Sequence, residues 1–420
     1  MQKEQIVFVG TSDLSGHFRG KSLPAVDLPS RLENGIGLAP TNLFISAFGP
    51  IQFTPFGTPG EVFLVPDPST RVYVPFDGST AEFFLLADIR TFEGEPWGYC
   101  PRHVLRRALD ALREETGLRL LATFEQEFIY SGVPDDRPRP YELDGYRRQG
   151  VFGEALVAAL RQAGIVPDSF LCEYGLQQFE ITSAPAVGLR AADEAVITRE
   201  IAQAVAWRLG HRVHLTPILA PDGVGNGTHI HFSFLDADDR PVLQADEEAG
   251  GVSPVGQKFI AGILHHLPAL CAITTPSVPS YYRLRPNRWA PVRADAGVLD
   301  RGVAVRICPA PTGDQRQRAA RFNVEFRVAD ATANPYLVLA VLVQAGLEGV
   351  RSGRTMSAAA GSPLPSSLTA ALTLLEQSRS AVDWLGPDLL SGYLQFKRAE
   401  NQGMAGLDEQ EVCRRYAACY

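Results

Sequence analysis

The chain has 420 residues, 45% of them apolar, and a formal net charge of −8, enough for a sizeable core in two or three domains. The acidic balance excludes a basic footprint for nucleic acid, and no purely apolar run approaches the roughly 20 residues of a membrane span. The opening MQKEQIVFVGTSD lacks the apolar core of a signal peptide, and six scattered cysteines (Cys100, Cys172, Cys271, Cys308, Cys413, Cys419) form no C-x-x-C pair, so the expectation is a cytoplasmic protein with reduced thiols.

The first hundred residues are rich in Gly, Pro, Phe and Val. Ile6–Val9, Glu61–Val65 and Arg71–Val74 read as short strands separated by turns such as PFGTPG and PDPST. Trp97–Gly98 marks a boundary. Pro101 then suits the first turn of a helix through PRHVLRRALDALREETG, with Gly117 as its stop. Leu120–Tyr130 follows as a strand with Thr123, Glu125 and Glu127 on one face. Helices are expected near Val151–Ala163, over Leu189–Leu209, Gly256–Ala272 and Asn334–Val350. Strands are expected over Gln178–Thr182, near His214–Leu219, in THIHFSFLD, and over Val303–Cys308 and Phe322–Ala329. YYRLRPNRWAPVRADAG reads as a long loop, and 352–363 as a linker to a helical tail. The pattern is α+β: an antiparallel sheet with helices packed outside. Tyr336, Leu337, Leu339, Leu342 and Val343 read as core, and His265–His266 as helix surface.

Two carboxylates on one strand face repel and shed water at a cost, so Glu125 and Glu127 face either bulk solvent or a cation. Polar pairs recur at the same spacing in Glu180 with Thr182, His229 with His231 and Ser233, and Glu325 with Arg327. Four such pairs imply a sheet with a charged inner face. Its oxygen-rich character, with few imidazoles and no thiolate at ligand spacing, suits Mg²⁺ or Mn²⁺. Arg283, Arg301, Arg306 and Arg327 form the cationic set that a carboxylate and a polyphosphate require.

Five segments in this order resemble the glutamine synthetase family: FEQEF, CEYGLQQFEI, GNGTHIHFS, the arginine segments YYRL and LDRGVAVR, and VEFRVADATANPYLVLAVLVQAGLEG. The resemblance implies a small β-grasp-like domain over 1–98 and a catalytic domain over 99–420 with a curved antiparallel sheet flanked by helices. It implies one metal position held by Glu127, Glu173 and Glu180 beside the substrate γ-carboxylate. A second, held by Glu125, His229 and Glu325, faces the ATP phosphates. It further implies that Arg283 and Arg327 grip the α-carboxylate of glutamate, with Gly225 in the glutamate loop. Arg301 stabilises the phosphoryl group in transfer, and Arg306, His231, Ser233 and the residue at 323 contact the nucleotide. The implied assembly is a dodecamer of two stacked hexamers. The implied reaction is phosphoryl transfer from ATP to glutamate, followed by attack of an amine.

Four departures from the family pattern stand out, two of them on the amine side, one at a phosphate contact and one in the glutamate-binding loop. FISAF at 44–48 lacks the acid of the D-G-S-S motif, which only Phe76-Asp77-Gly78-Ser79 echoes, at another place. N-R-W-A-P puts Trp289 where the family's loop carries a Glu. Asn323 replaces the first Arg of R-x-E-x-R, and Gln177–Gln178 replaces Gly-Gln. Losing two acids removes what would hold ammonium, while a Trp offers an apolar wall and a face for a cation or ring. The expectation is an ATP-dependent carbon–nitrogen ligase joining glutamate to an amine larger than ammonia. An ordinary glutamine synthetase and a non-catalytic binding protein are the alternatives. The short 351–363 segment shows no tyrosine loop for adenylylation.

Overall fold

A computed structural model describes residues 3–134, 136–310, 312–356 and 361–420. Part of the 352–363 linker, 357–360, therefore lies outside the described residues.

The N-terminal sheet contains β1 (Ile6–Ser12), β2 (Phe18–Pro24), β3 (Ile36–Leu38), β4 (Val62–Pro66), β5 (Val72–Val74) and β6 (Glu82–Arg90). Its order is β2-β1-β6-β4-β3, with β5 sharing an edge of β6 with β4. β1 and β6 run parallel at its centre. The sequence pattern passes over β2 and β6. EFFLLADIR is a nearly continuous apolar run, buried along most of its length, and such a run shows no alternation.

The second sheet has nine strands: β7 (Arg119–Tyr130), β8 (Pro167–Cys172), β9 (Gln178–Ser183), β10 (Ala186–Val187), β11 (Val213–His214), β12 (Thr228–Leu235), β13 (Ala296–Val298), β14 (Val305–Cys308) and β15 (Asn323–Phe326). The main path is β13-β14-β15-β12-β7-β9-β8, and β10 and β11 also pair with β7. All pairings are antiparallel except β13 with β14, so the wholly antiparallel expectation is corrected at that edge. The strand expected over His214–Leu219 keeps only two residues, because Pro217 cannot donate to a ladder. The strand expected over Phe322–Ala329 ends at Phe326.

Helix Pro101–Thr116 starts on Pro101 and stops at Gly117 in the left-handed region, φ 70°. Helix Leu189–Arg208 packs on β7, helix Pro254–Thr274 meets β12 through Phe259 against Phe232 and Phe234, and helix Pro335–Arg351 packs against both helices. The stripe Tyr336, Leu337, Leu339, Leu342 and Val343 is core. His265 is exposed as expected, but His266 is largely covered, 3.0 Å from Glu348 and edge-on to Trp384. The Arg- and Pro-rich segment is coil between the short helix Ser280–Arg283 and β13.

The two parts are joined through a buried guanidinium. Arg102 donates to Asp193 (2.9 and 3.0 Å), Asp88 (3.0 Å) and Asp67 (2.7 Å), and Tyr336 Oη donates to Asp193 at 2.7 Å.

Candidate active site

Strand register sets the charged residues in a line across the second sheet. Glu180 on β9 faces Glu127 on β7, and Glu125 on β7 faces His229 on β12. His231 on β12 faces Glu325 on β15, which faces Arg306 on β14. A two-residue period on each strand thus becomes one polar stripe across five strands.

The stripe closes into a cluster. His229 Nδ1 lies 3.2 Å from Glu125, 3.5 Å from Glu325 and 3.7 Å from Glu127. His231 Nε2 lies 3.0 Å from Glu125, and its Nδ1 2.8 Å from Asn323 Oδ1. Arg306 donates to Glu325 at 2.9 Å, and Arg327 donates to the other oxygen of the same carboxylate. Two groupings have ligand atoms close enough to share an ion: Glu125 with His231 and Glu325, and Glu125 with Glu180 and His229. Proximity therefore divides the cluster differently from the resemblance. His231, expected on the nucleotide, joins it, and Glu173 stands apart, accepting from Tyr141 Oη at 3.1 Å.

The electrostatics differ along the stripe. Burial opposes ionisation of Glu125, but hydrogen bonds from His229 and His231 outweigh it and hold the carboxyl low. Burial likewise opposes ionisation of Glu325, and His229 and Arg327 outweigh it. Glu180 has no such cationic partner among the described residues. Burial and the charges of Glu125, Glu127 and Glu173 push it up to about 9, and burial with Glu127 raises Glu173. A buried group of acids with too few cations is what a divalent ion satisfies, and the carboxylate–imidazole donor set fits Mg²⁺ or Mn²⁺.

Glu127 accepts from the Gly227 N–H at 2.6 Å. Arg283 is buried and donates to the carbonyls of Ala329 (3.1 Å) and Arg327 (3.3 Å). A side chain on Gly225 would meet Arg283 Cγ at 2.6 Å, and one on Gly227 would meet Arg283 Nη2 at 2.7 Å, so this loop requires glycine for the arginine's close approach. Gln178 Nε2 ties the same loop down through Gly225 O and Asn226 Oδ1, each at 2.8 Å. Arg327 is buried, and its Nε has no acceptor among the described residues.

Beside Glu125 and His231 a cavity of about 420 Å³ opens, lined among others by Thr123, Ser183, Ser233, Phe322 and Asn323. Its size suits a small ligand. Two expected residues stay outside the cluster. Arg301 is exposed in the turn before β14. Trp289 is 74% exposed and stacks near Tyr174, with ring centroids 6.3 Å apart. Asp77 sits exposed in the turn between β5 and β6.

The sequence reading passed over three residues here. Tyr174 directly follows Glu173, and Tyr141 bonds to it, so an aromatic next to a ligand-type Glu was the available signal. Asp330, buried beside Arg283, accepts from Thr332, and its place in the VEFRVAD segment was the only hint.

The glutamine synthetase N-terminal domain model matches residues 1–97, and the glutamine synthetase catalytic domain model matches 98–416. The gamma-glutamylpolyamine synthetase of Streptomyces coelicolor is 32% identical, over 96% of this chain and 91% of its own. The gamma-glutamylanilide synthase of Acinetobacter sp is 27% identical, over 94% and 87%. A crystal structure described as a novel glutamine synthase homolog superimposes with TM-score 0.95 at 38% identity, covering 100% and 99% of the two chains. A GmaS/ADP complex superimposes with TM-score 0.84 at 25% identity, covering 97% and 95%. That family generally depends on ATP and a divalent metal and is typically oligomeric, and no helix among the described residues is long and apolar enough to cross a membrane. With both family domains matched end to end and the acid–imidazole stripe in place, the chain belongs to the glutamine synthetase family of ligases.

Proposed function

We propose that the chain joins the γ-carboxylate of L-glutamate to an amine larger than ammonia at the expense of ATP. The observation that carries this reading is Trp289, which stands where the family's loop offers an acid and faces Tyr174 beside Glu173, while the acid stripe on the glutamyl side is complete. In the first half-reaction a γ-carboxylate oxygen attacks the γ-phosphorus of ATP, and the bond to the ADP oxygen breaks. The amine lone pair then attacks the acyl carbon, phosphate leaves, and the nitrogen gives up a proton.

Arg283 and Arg327 supply positive charge for the α-carboxylate, and the Gly225 loop shapes its seat. Glu127, Glu173 and Glu180 on one side, and Glu125, His229 and Glu325 on the other, would hold the ions. Bound Mg²⁺ or Mn²⁺ would neutralise charge on the carboxylate and the phosphates. Arg301 is exposed, with no partner among the described residues, and can turn onto the phosphoryl group as charge moves. His231, Ser233 and Asn323 line the cavity and would contact the nucleotide, with Arg306, bonded to Glu325, beside them. A dodecamer of two stacked hexamers in the cytoplasm is the accompanying expectation.

The test is phosphate release and product mass from glutamate, Mg²⁺–ATP and a panel of amines beside ammonia. Amine-dependent release with a γ-glutamylamide product is expected. Turnover with ammonia alone would make the chain an ordinary glutamine synthetase, and absence of nucleotide binding by calorimetry would make it non-catalytic.

A further inference from the structure

Three aromatic rings from separate segments meet at the outer edge of the site. The planes of Tyr174 and Trp289 are within 15° of parallel, with centroids 6.3 Å apart, and Tyr141 meets Tyr174 edge-on at 5.7 Å and 78°. All three are largely exposed. Tyr141 (φ 56°) and Trp289 (φ 53°) both sit in the left-handed region, which bulky residues rarely adopt and which clusters at ligand sites. The rings border Glu173, which accepts from Tyr141 Oη at 3.1 Å and from the Tyr174 N–H at 3.2 Å.

The charges around the rings favour a cation. Neighbouring guanidinium groups are already engaged: Arg137 by Glu142 (3.0 Å), Arg139 by Asp136 (2.6 Å) and Asp144 (2.7 Å), and Arg148 by Asp144 (3.0 Å). Arg288 donates to the carbonyls of Gly223 (2.7 Å) and Pro221 (2.8 Å). Glu173 belongs to the metal side of the site, so the rings themselves carry the attraction: exposed aromatic faces whose neighbouring guanidinium groups are already engaged draw an ammonium group, and the Trp face does so best.

Resting on the amine-ligase reading above, we propose that Tyr174 and Trp289, flanked by Tyr141, hold the remote cation of the acceptor. The acceptor class is then a diamine or polyamine, one amino group reacting while a second, protonated, lies against the rings.

The experiment compares diaminobutane with pentylamine, of similar length but without the second charge, using full-length enzyme, glutamate and Mg²⁺–ATP. Tyr174→Ala and Trp289→Gly each remove a ring, and glycine accommodates the backbone at 289. Each should raise KM for diaminobutane about two- to fivefold, the worth of a cation–aromatic contact at an exposed site. KM for pentylamine should change by less than about twofold on the same basis, and KM for glutamate should not change. Tyr174→Phe should behave as wild type. Equal losses for both amines would reduce the rings to an apolar wall, and indifference to both would remove them from the acceptor site; either overturns the proposal. A smaller assembly by light scattering in either variant would mean that a second copy covers the rings, and would overturn it too. Wild type that turns over no amine would fail the ligase reading and the proposal together, whereas intact turnover with indifferent variants fails the proposal alone.

Discussion

Glu127 is placed twice over, opposite Glu180 in the ladder and under the Gly227 N–H. Replacing it with Ala removes a charge from the centre of the acid group while leaving the strand's backbone bonds in place. Arg301 is exposed, so Arg301→Ala should cost little stability. Both variants should fold, by circular dichroism, and both should lose ATP-dependent product formation; near-wild-type turnover in either would refute the assigned role. The places of Glu125, Glu127, His229, His231, Glu325 and Arg327 in the stripe were legible because E-x-E, H-x-H and E-x-R each keep the strand period. Tyr174 and Tyr141 were not, since their meaning comes from three loops converging, which no local spacing encodes. Glu200, away from this site, offers a separate test. Burial, then Glu82, pushes its carboxyl from 4.5 up to about 7. A raised folded value means the native chain holds this proton where the unfolded chain has lost it, so stability falls as pH rises from 4.5 towards 7. Discounted for partial exposure, the loss is about 1–2 kcal/mol. Glu200→Gln should therefore unfold later than wild type at about pH 8 and together with it at about pH 4, as thermal midpoints will show.

Among the elements, the long periodic helices and the motif-bearing strands were read within a few residues of their observed ends, because caps and turns mark them. β6 and β8 were missed for opposite reasons: one is apolar throughout, and the other is mostly half-covered, so neither alternates. The helix starting at Pro101 was expected from its first and last residues, yet its main link to the rest of the chain was invisible in sequence. Arg102 reaches Asp67 and Asp88 in the N-terminal part and Asp193 in helix Leu189–Arg208. Its guanidinium is driven further towards the charged form by Asp193, against the opposing cost of burial. Removing one partner of a buried ionic network leaves the others uncompensated, at about 3–5 kcal/mol. Arg102→Met keeps the volume and removes the charge, so a drop of that order in denaturant-unfolding free energy is expected. A loss below about 1 kcal/mol, the worth of a surface pair, would show that the aspartates find water instead.

For the molecule as a whole, the acid stripe is a stability cost that a ligand can remove. Glu180 stays protonated near neutrality because burial and three neighbouring carboxylates oppose its charge. A divalent ion binding only the folded state stabilises it by mass action, about 2.7 kcal/mol at a hundredfold excess over Kd. For a chain of this length that corresponds to about 3 °C in Tm. Mg²⁺ or Mn²⁺ should therefore raise the thermal midpoint of the chelator-treated protein by a few degrees, without substrates present. Glu180→Gln separates a metal role from a structural one. An amide of the same shape removes the cost of holding Glu180 protonated in the fold where the unfolded chain would ionise it, so the metal-free midpoint should stay level or rise, as expected where stability is traded for function, while most of the metal response disappears. A variant that is less stable without metal and still responds fully to it would show that Glu180 serves the fold, and that the ions, if bound, are held elsewhere.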